Sequence, residues 1–206
     1  MACAYFGLNS ACVSHQRRTQ HLSSSIAPAI RFDRVRRNRG DRFLVQSSKN
    51  GDLWSFRKGR ESDLDTIRKM IWAERMNPLG LDHNRFLVAV GDDGDLLGFA
   101  QVEAKPSEEK KEYVEFRTLI VKDQARGDGL GSALAKELLE KYPEDDVYMT
   151  TIGSSTDFYE RLGFKEVQEK DMPRALWFEW KAGMVVAKLA VNDRCLVMKK
   201  PAVNKN

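Results

Sequence analysis

The hydrophobic positions change period several times along the chain, and each change marks an element. LWSFRK (53–58) and RFLVAV (85–90) read as short strands. Between them Leu64, Ile67, Met70 and Ile71 recur at spacings of three and four. That stripe predicts an amphipathic helix over 61–74, with Ser62 or Asp63 as its cap. NPLGLDHN (77–84) holds Pro, Gly and Asn and reads as a loop. GDDGD (91–95) is a turn, so 85–90 and LLGFAQVEA (96–104) form a hairpin. KPSEEKK is a polar turn, and EYVEFRTLIV (112–121) is a long strand. Leu130, Leu134 and Leu138 give the buried face of a helix that runs to about Tyr142. DVYMTTI (146–152) is another strand, followed by a short helix over 155–162 that Gly163 ends. FKEVQ (164–168) starts a strand, Pro173 opens a helix through RALWFEWKAGMVVAKLA, and DRCLVMKK (193–200) is the last strand. This order predicts an α/β sandwich, a mixed sheet of about seven strands with helices on both sides.

Composition refines the picture mainly at the N-terminus. The chain has 206 residues, about one domain's worth, and a net charge of +4. Residues 1–50 hold eight Arg and Lys49 against Asp33 and Asp41, a net of +7, which leaves −3 for the other 156. The folded part therefore offers no basic footprint for nucleic acid. The absence of an apolar run near 18 residues predicts no membrane span. The first 32 residues lack acid and are rich in Ser, Ala and Arg, the composition of an organelle transit peptide, of plastid type. We expect a leader over 1–48, one folded domain over 49–200 and a loose tail over 201–206, with the mature protein in the plastid stroma. Cys3 and Cys12 fall in the leader, so Cys195 has no partner for a disulfide, and no metal-ligand cluster is expected. His15 and His21 also fall there, leaving His83.

Between the long strand and its helix lies RGDGLG, Arg126, Gly127, Asp128, Gly129, Leu130 and Gly131. Glycine in a helix costs about 1 kcal/mol relative to alanine, so three at a helix start call for a reason. A helix N-terminus has unpaired N–H groups and partial positive charge, and without side chains a phosphate can approach them. A plain tight turn remains an alternative. Gly131-Ser132 lacks the Lys of a nucleoside-triphosphate loop, and the glycine spacing does not fit the dinucleotide fingerprint.

With Arg126–Gly131 preceded by Leu119-Ile120-Val121, and Phe158-Tyr159-Glu160-Arg161-Leu162-Gly163-Phe164 following, the sequence resembles the GNAT superfamily of acyl-CoA-dependent N-acyltransferases over about 53–200. The first stretch fits the family's Arg/Gln-x-x-Gly-x-Gly/Ala signature and the second its FYxxxGF helix end. The resemblance implies that N–H groups of Arg126 to Ser132, with Gly127, Asp128, Gly129, Leu130 and Gly131 between them, hold the coenzyme A pyrophosphate. It implies a strand pair splayed for acyl-CoA, with Leu119, Ile120 and Val121 holding the pantetheine arm and one N–H polarising the thioester carbonyl. Arg126 would add charge, and Phe158 would line the site. Tyr159 becomes the proton donor to the leaving thiolate. Family members often place an Asn early in the next helix; here Ile152, Gly153, Ser154 and Ser155 stand there, so backbone contacts are expected instead.

Glu115 is the candidate general base, with Glu103 on the preceding strand a weaker one; His83, in the loop before the second strand, is a candidate to line the acceptor site. Trp177 and Trp180 share a helix face, as core or as a wall of the acceptor pocket. Their segment is similar to inserts of plant plastid members that acetylate protein N-termini and lysines, some of which accept arylalkylamines such as serotonin. The expected reaction is direct attack by a primary amine on acetyl-CoA in a ternary complex, without metal. The acceptor is a protein or peptide amine, alternatively a small arylalkylamine. A non-catalytic acyl-CoA sensor is the reading of another class.

Overall fold

A computed structural model describes residues 45–47, 53–105 apart from 75, 77 and 79, and 113–203. The N-terminal 44 residues of the expected leader and part of the 105–111 turn lie outside them. Among the described residues eight strands form one sheet: β1 (Val45–Ser47), β2 (Leu53–Lys58), β3 (Phe86–Gly91), β4 (Leu96–Lys105), β5 (Tyr113–Val121), β6 (Val147–Ile152), β7 (Lys165–Glu166) and β8 (Cys195–Lys200). Their spatial order is β1-β2-β3-β4-β5-β6-β8-β7. Seven of these are the strands the pattern predicts. The eighth, β1, pairs antiparallel with β2 and falls within the stretch 1–48 read as leader.

Four α-helices among the described residues cover the sheet: α1 (Leu64–Ala73), α2 (Leu130–Leu139), α3 (Thr156–Glu160) and α4 (Arg174–Val191). Leu130, Leu134 and Leu138 of α2 and Tyr159 of α3 pack with Leu87, Val102, Phe116, Leu119, Val147 and Met149 on one sheet face. On the other face Ile67 and Ile71 of α1 join Val88, Phe99 and Ile120, while Leu176 of α4 joins Tyr113, Tyr148 and Val197. Burying each large apolar side chain stabilises the fold by about 1.5–3 kcal/mol. Asp63 does not cap α1 with its side chain. Its carboxylate instead takes both Nη atoms of Arg57, at 2.6 and 2.8 Å, and the N–H of Arg60 at 2.7 Å. The Arg57 hydrogen bond, against the opposing effect of burial, holds its pKa below the usual carboxylate value.

Two irregularities shape the middle of the sheet. Opposite Gln101 and Val102, β5 carries one extra residue, Arg117, a β-bulge that resets the alternation. Phe116 and Leu119, three apart, therefore share one face. β5 and β6 run parallel but share only Val114↔Val147 and Glu115↔Tyr148. Each stays paired on its outer side, β5 with β4 as far as Val121 and β6 with β8 as far as Ile152. The two strands thus part beyond Glu115 and Tyr148 and leave a cleft between Thr118–Val121 and the end of β6. This is the expected splay.

Candidate active site

The glycine turn closes the open end of that cleft. After β5, a 3-10 turn over Asp123–Ala125 leads through Arg126 to α2. Gly127 and Gly129 adopt φ of 93° and 89°, a region L-residues with side chains seldom enter. A Cβ at either would meet nothing within 4 Å, so backbone conformation, rather than lack of room, demands glycine there. Gly131 is different. It has ordinary φ, and its Cβ position lies 3.5 Å from Val121 Cγ2, 3.9 Å from Phe158 Cζ and 4.0 Å from Leu119 Cδ2. At Gly131 the end of β5, the start of α2 and α3 converge.

Gly129 caps α2, and no acidic side chain stands in the first turn. The leading N–H groups of a helix have no intrahelical partner; here they belong to Leu130, Gly131 and Ser132, at the mouth of the cleft. The Leu130 side chain points into the core, so its backbone is what it offers. Arg126 has three partners within the protein. Its Nε donates to the Val121 carbonyl at 2.8 Å, Nη2 donates to Glu74 Oε1 at 2.5 Å and Nη1 lies 2.8 Å from Asp123 Oδ1. These contacts make the side chain a brace of the turn. Asp128 is half-buried beside it.

Tyr159 is fully buried, with its ring edge-on to Phe158, Phe116 and Phe164 at 4.9, 6.3 and 6.0 Å between centroids. Burial raises its pKa above that of a free phenol, so it stays protonated at neutral pH. Among the described residues, three buried side-chain polar atoms lack a hydrogen-bond partner: Tyr159 Oη, Thr151 Oγ1 and Trp54 Nε1. An unmet buried hydroxyl costs about 1–3 kcal/mol, and a ligand in the cleft that accepts from it would recover that. Gly153 and Ser154 are tied to the segment entering β8: their N–H groups donate to the Arg194 carbonyl and to Asp193 Oδ2, both at 2.9 Å. Ser155 is buried.

On the opposite sheet face, charged groups gather where the cleft begins. Glu103 and Glu115 face each other across β4 and β5. Arg117 Nη1 lies 2.8 Å from Glu103 Oε2 and 3.4 Å from Glu115 Oε2. Lys105 Nζ is 3.6, 3.5 and 3.6 Å from carboxylate oxygens of Glu103, Glu115 and, from α4, Glu179. Arg85 Nη1 closes on Glu103 at 2.5 Å. Burial raises the pKa of Glu115, and Arg117 offsets this in part. Glu103 is less buried, and Lys105, Arg117 and Arg85 outweigh its burial and lower its pKa. Two facing carboxylates are thereby pushed apart, the pattern of groups given different acid–base work.

Residues 50–164, more than half of the chain, match the acetyltransferase (GNAT) family. The chain belongs to that family. The sheet with its parted strands is the family's fold. Solved structures agree in fold. N-acetylglutamate synthase from Neisseria gonorrhoeae, complexed with coenzyme A and L-arginine, is 19% identical with a TM-score of 0.55, over 73% of this chain and 34% of that one. This chain therefore spans about a third of the length of the Neisseria protein. Rv2747 from Mycobacterium tuberculosis, in complex with CoA and NLQ, is 18% identical with a TM-score of 0.55, over 72% and 99%. The NatC complex bound to Gag peptide and CoA contains a chain 14% identical with a TM-score of 0.52, over 73% and 99%. No curated protein sequence matches the chain significantly.

Within this GNAT chain the structure brings together Leu119, Val121, Gly131 and Phe158 at the cleft mouth. The Ile120 side chain turns to the α1 face, while its carbonyl would lie 2.8 Å from a Cβ on Gly98, a close strand approach that accounts for glycine in β4. His83 sits in a short 3-10 turn ahead of β3. From α4, Trp180 packs against Ile152 and Cys195 and donates to the Cys195 carbonyl at 2.9 Å; Trp177 donates to Glu169 at 2.7 Å. Sequence reasoning missed Thr151, Lys105, Arg117 and Glu179. Arg117 had a signal, a cation among Glu115 and apolar neighbours in a central strand; the others had none. Among the described residues no group of three or more His, Cys, Asp or Glu is placed to hold a metal, and no helix is long and apolar enough to cross a membrane.

Proposed function

We propose that the chain transfers the acetyl group of acetyl-CoA to a primary amine of a protein, an N-terminal α-amine or a lysine ε-amine, in the plastid. The observation that carries this is the cleft between β5 and β6, bounded at its mouth by the start of α2 and walled by the face from which the unpartnered phenol of Tyr159 comes. The residues fit the co-substrate. The N–H groups of Leu130 to Ser132 suit its pyrophosphate. The β5 edge freed beyond Glu115 supplies backbone donors and acceptors to the arm, and one N–H there polarises the thioester carbonyl.

The acceptor amine attacks the acetyl carbonyl directly: the C–N bond forms and the C–S bond breaks. Tyr159 gives its proton to the departing sulfur. Glu115, whose raised pKa suits it to take up a proton, receives the amine's proton through water. Cys195 is no nucleophile in this scheme; it is buried under α4, and burial pushes its thiol up to about 11. Protein acceptors are supported by the solved relative that holds a peptide beside CoA, and the plastid by the acid-free first 32 residues with their Ser, Ala and Arg.

The full chain, incubated with acetyl-CoA and a panel of peptides and amines and read by mass spectrometry, should acetylate peptide amines. Product on arylalkylamines alone would move the acceptor to that class. Bound acetyl-CoA without any product would make the chain a sensor. N-terminal sequencing of the protein from plastids tests location; an intact Met1 or Ala2 there contradicts import with cleavage.

A further inference from the structure

Of the three unmet buried atoms, Trp54 Nε1 lies on β2, with β3 and β4 between it and β5. Thr151 Oγ1 and Tyr159 Oη both have zero exposure at residue level. Register places Thr151. The pair Glu115↔Tyr148 fixes the parallel alignment; three residues on, Thr151 is level with Thr118, or with Leu119 once the extra residue Arg117 is allowed for. Side chains alternate along a strand. Val147 and Met149 enter the cluster that holds Leu119, Leu130 and Tyr159, so Thr151 points to that same face. Its backbone stays paired with Leu196 of β8, whereas β5 has already parted from it. Thr151 therefore stands on the β6 wall of the cleft, opposite Thr118 and Leu119 and on the face of Tyr159.

We propose that Thr151 is a further positioning residue for the acyl donor: its hydroxyl hydrogen-bonds an amide of the pantetheine arm and holds the thioester within reach of Tyr159. The inference rests on the proposed acetyl-CoA site. A hydroxyl donates to an amide carbonyl or accepts from an amide N–H, and the arm has both. For packing alone, valine has the same shape and no polar atom to bury, so it would be the more stable occupant of this position.

The test compares the full-length wild type, Thr151→Val and Thr151→Ser by thermal unfolding, titration with acetyl-CoA and steady-state kinetics. Thr151→Val should unfold at a higher temperature without ligand. It should bind acetyl-CoA roughly three- to tenfold more weakly, the worth of one neutral hydrogen bond, with KM for acetyl-CoA rising to match. Thr151→Ser should restore the affinity. Equal affinity of wild type and Thr151→Val overturns the assignment and leaves the acetyl-CoA site standing. Equal weakening in Val and Ser variants also overturns it, because shape and not the hydroxyl would then matter. Failure of the wild type to bind overturns both the assignment and the site.

Discussion

Arg126 holds Val121: the guanidinium Nε donates to the strand-end carbonyl at 2.8 Å, across the turn that Arg126 itself introduces. Glu74 and Asp123 fix the rest of the group. Arg126→Ala should destabilise the chain by about 1–3 kcal/mol, the range for charge-assisted hydrogen bonds, and loosen the turn. Because the charge is spent inside the protein, the salt dependence of acetyl-CoA binding should stay as in the wild type. Titrations at two ionic strengths check this; a flattened salt dependence would return Arg126 to the phosphate.

The glycines of the turn divide into two kinds. Gly129→Ala forces a side chain into left-handed backbone and should lower stability by about 1–2 kcal/mol. Gly131→Ala, at ordinary φ inside α2, should be neutral or stabilise by up to about 1 kcal/mol. Chemical denaturation of the two variants separates them, and equal losses would contradict the backbone argument.

Tyr159→Phe removes a hydroxyl that has no partner in the protein. Its stability should match or exceed that of the wild type, and acetyl-CoA affinity should hold. Turnover should fall by about 10²-fold or more, the usual worth of a general acid. Wild-type kcat in the variant, measured under saturating donor and acceptor, would leave Tyr159 a core residue.

Burial raises the pKa of Glu115, and a base works deprotonated. Activity should therefore fall as pH drops through a value above the ordinary glutamate range. Glu115→Gln should lose that acidic limb along with roughly 10²-fold in kcat. Glu103→Gln, at a carboxylate held low by its cations, should keep the limb. A pH–rate profile of the three proteins decides between the two carboxylates.

Much of this was legible in the chain, for physical reasons. Spacings of three and four gave α1, and the two signatures located the turn and Tyr159 because each needs specific residue types. β1 was hidden: three residues, VQS, are too short to show a period. Arg117 broke the alternation of β5 without a sequence mark, since any residue can occupy a bulge. The difference between Gly129 and Gly131 lies in φ, and the inward commitment of Arg126 depends on Glu74, 52 residues away. Lys105 and Glu179 meet only because α4 folds back over the sheet. Long-range relations of this kind have no local signal.

The central claim is that acetyl-CoA lies in the cleft whose mouth is Gly131, Val121, Leu119 and Phe158. Calorimetric titration of the full-length wild type and Gly131→Trp tests it most directly, with melting temperatures reporting the fold. The account predicts saturable binding of acetyl-CoA to the wild type and loss of that binding in Gly131→Trp at comparable thermal stability. Equal affinity in the two proteins would place the donor elsewhere and contradict the account.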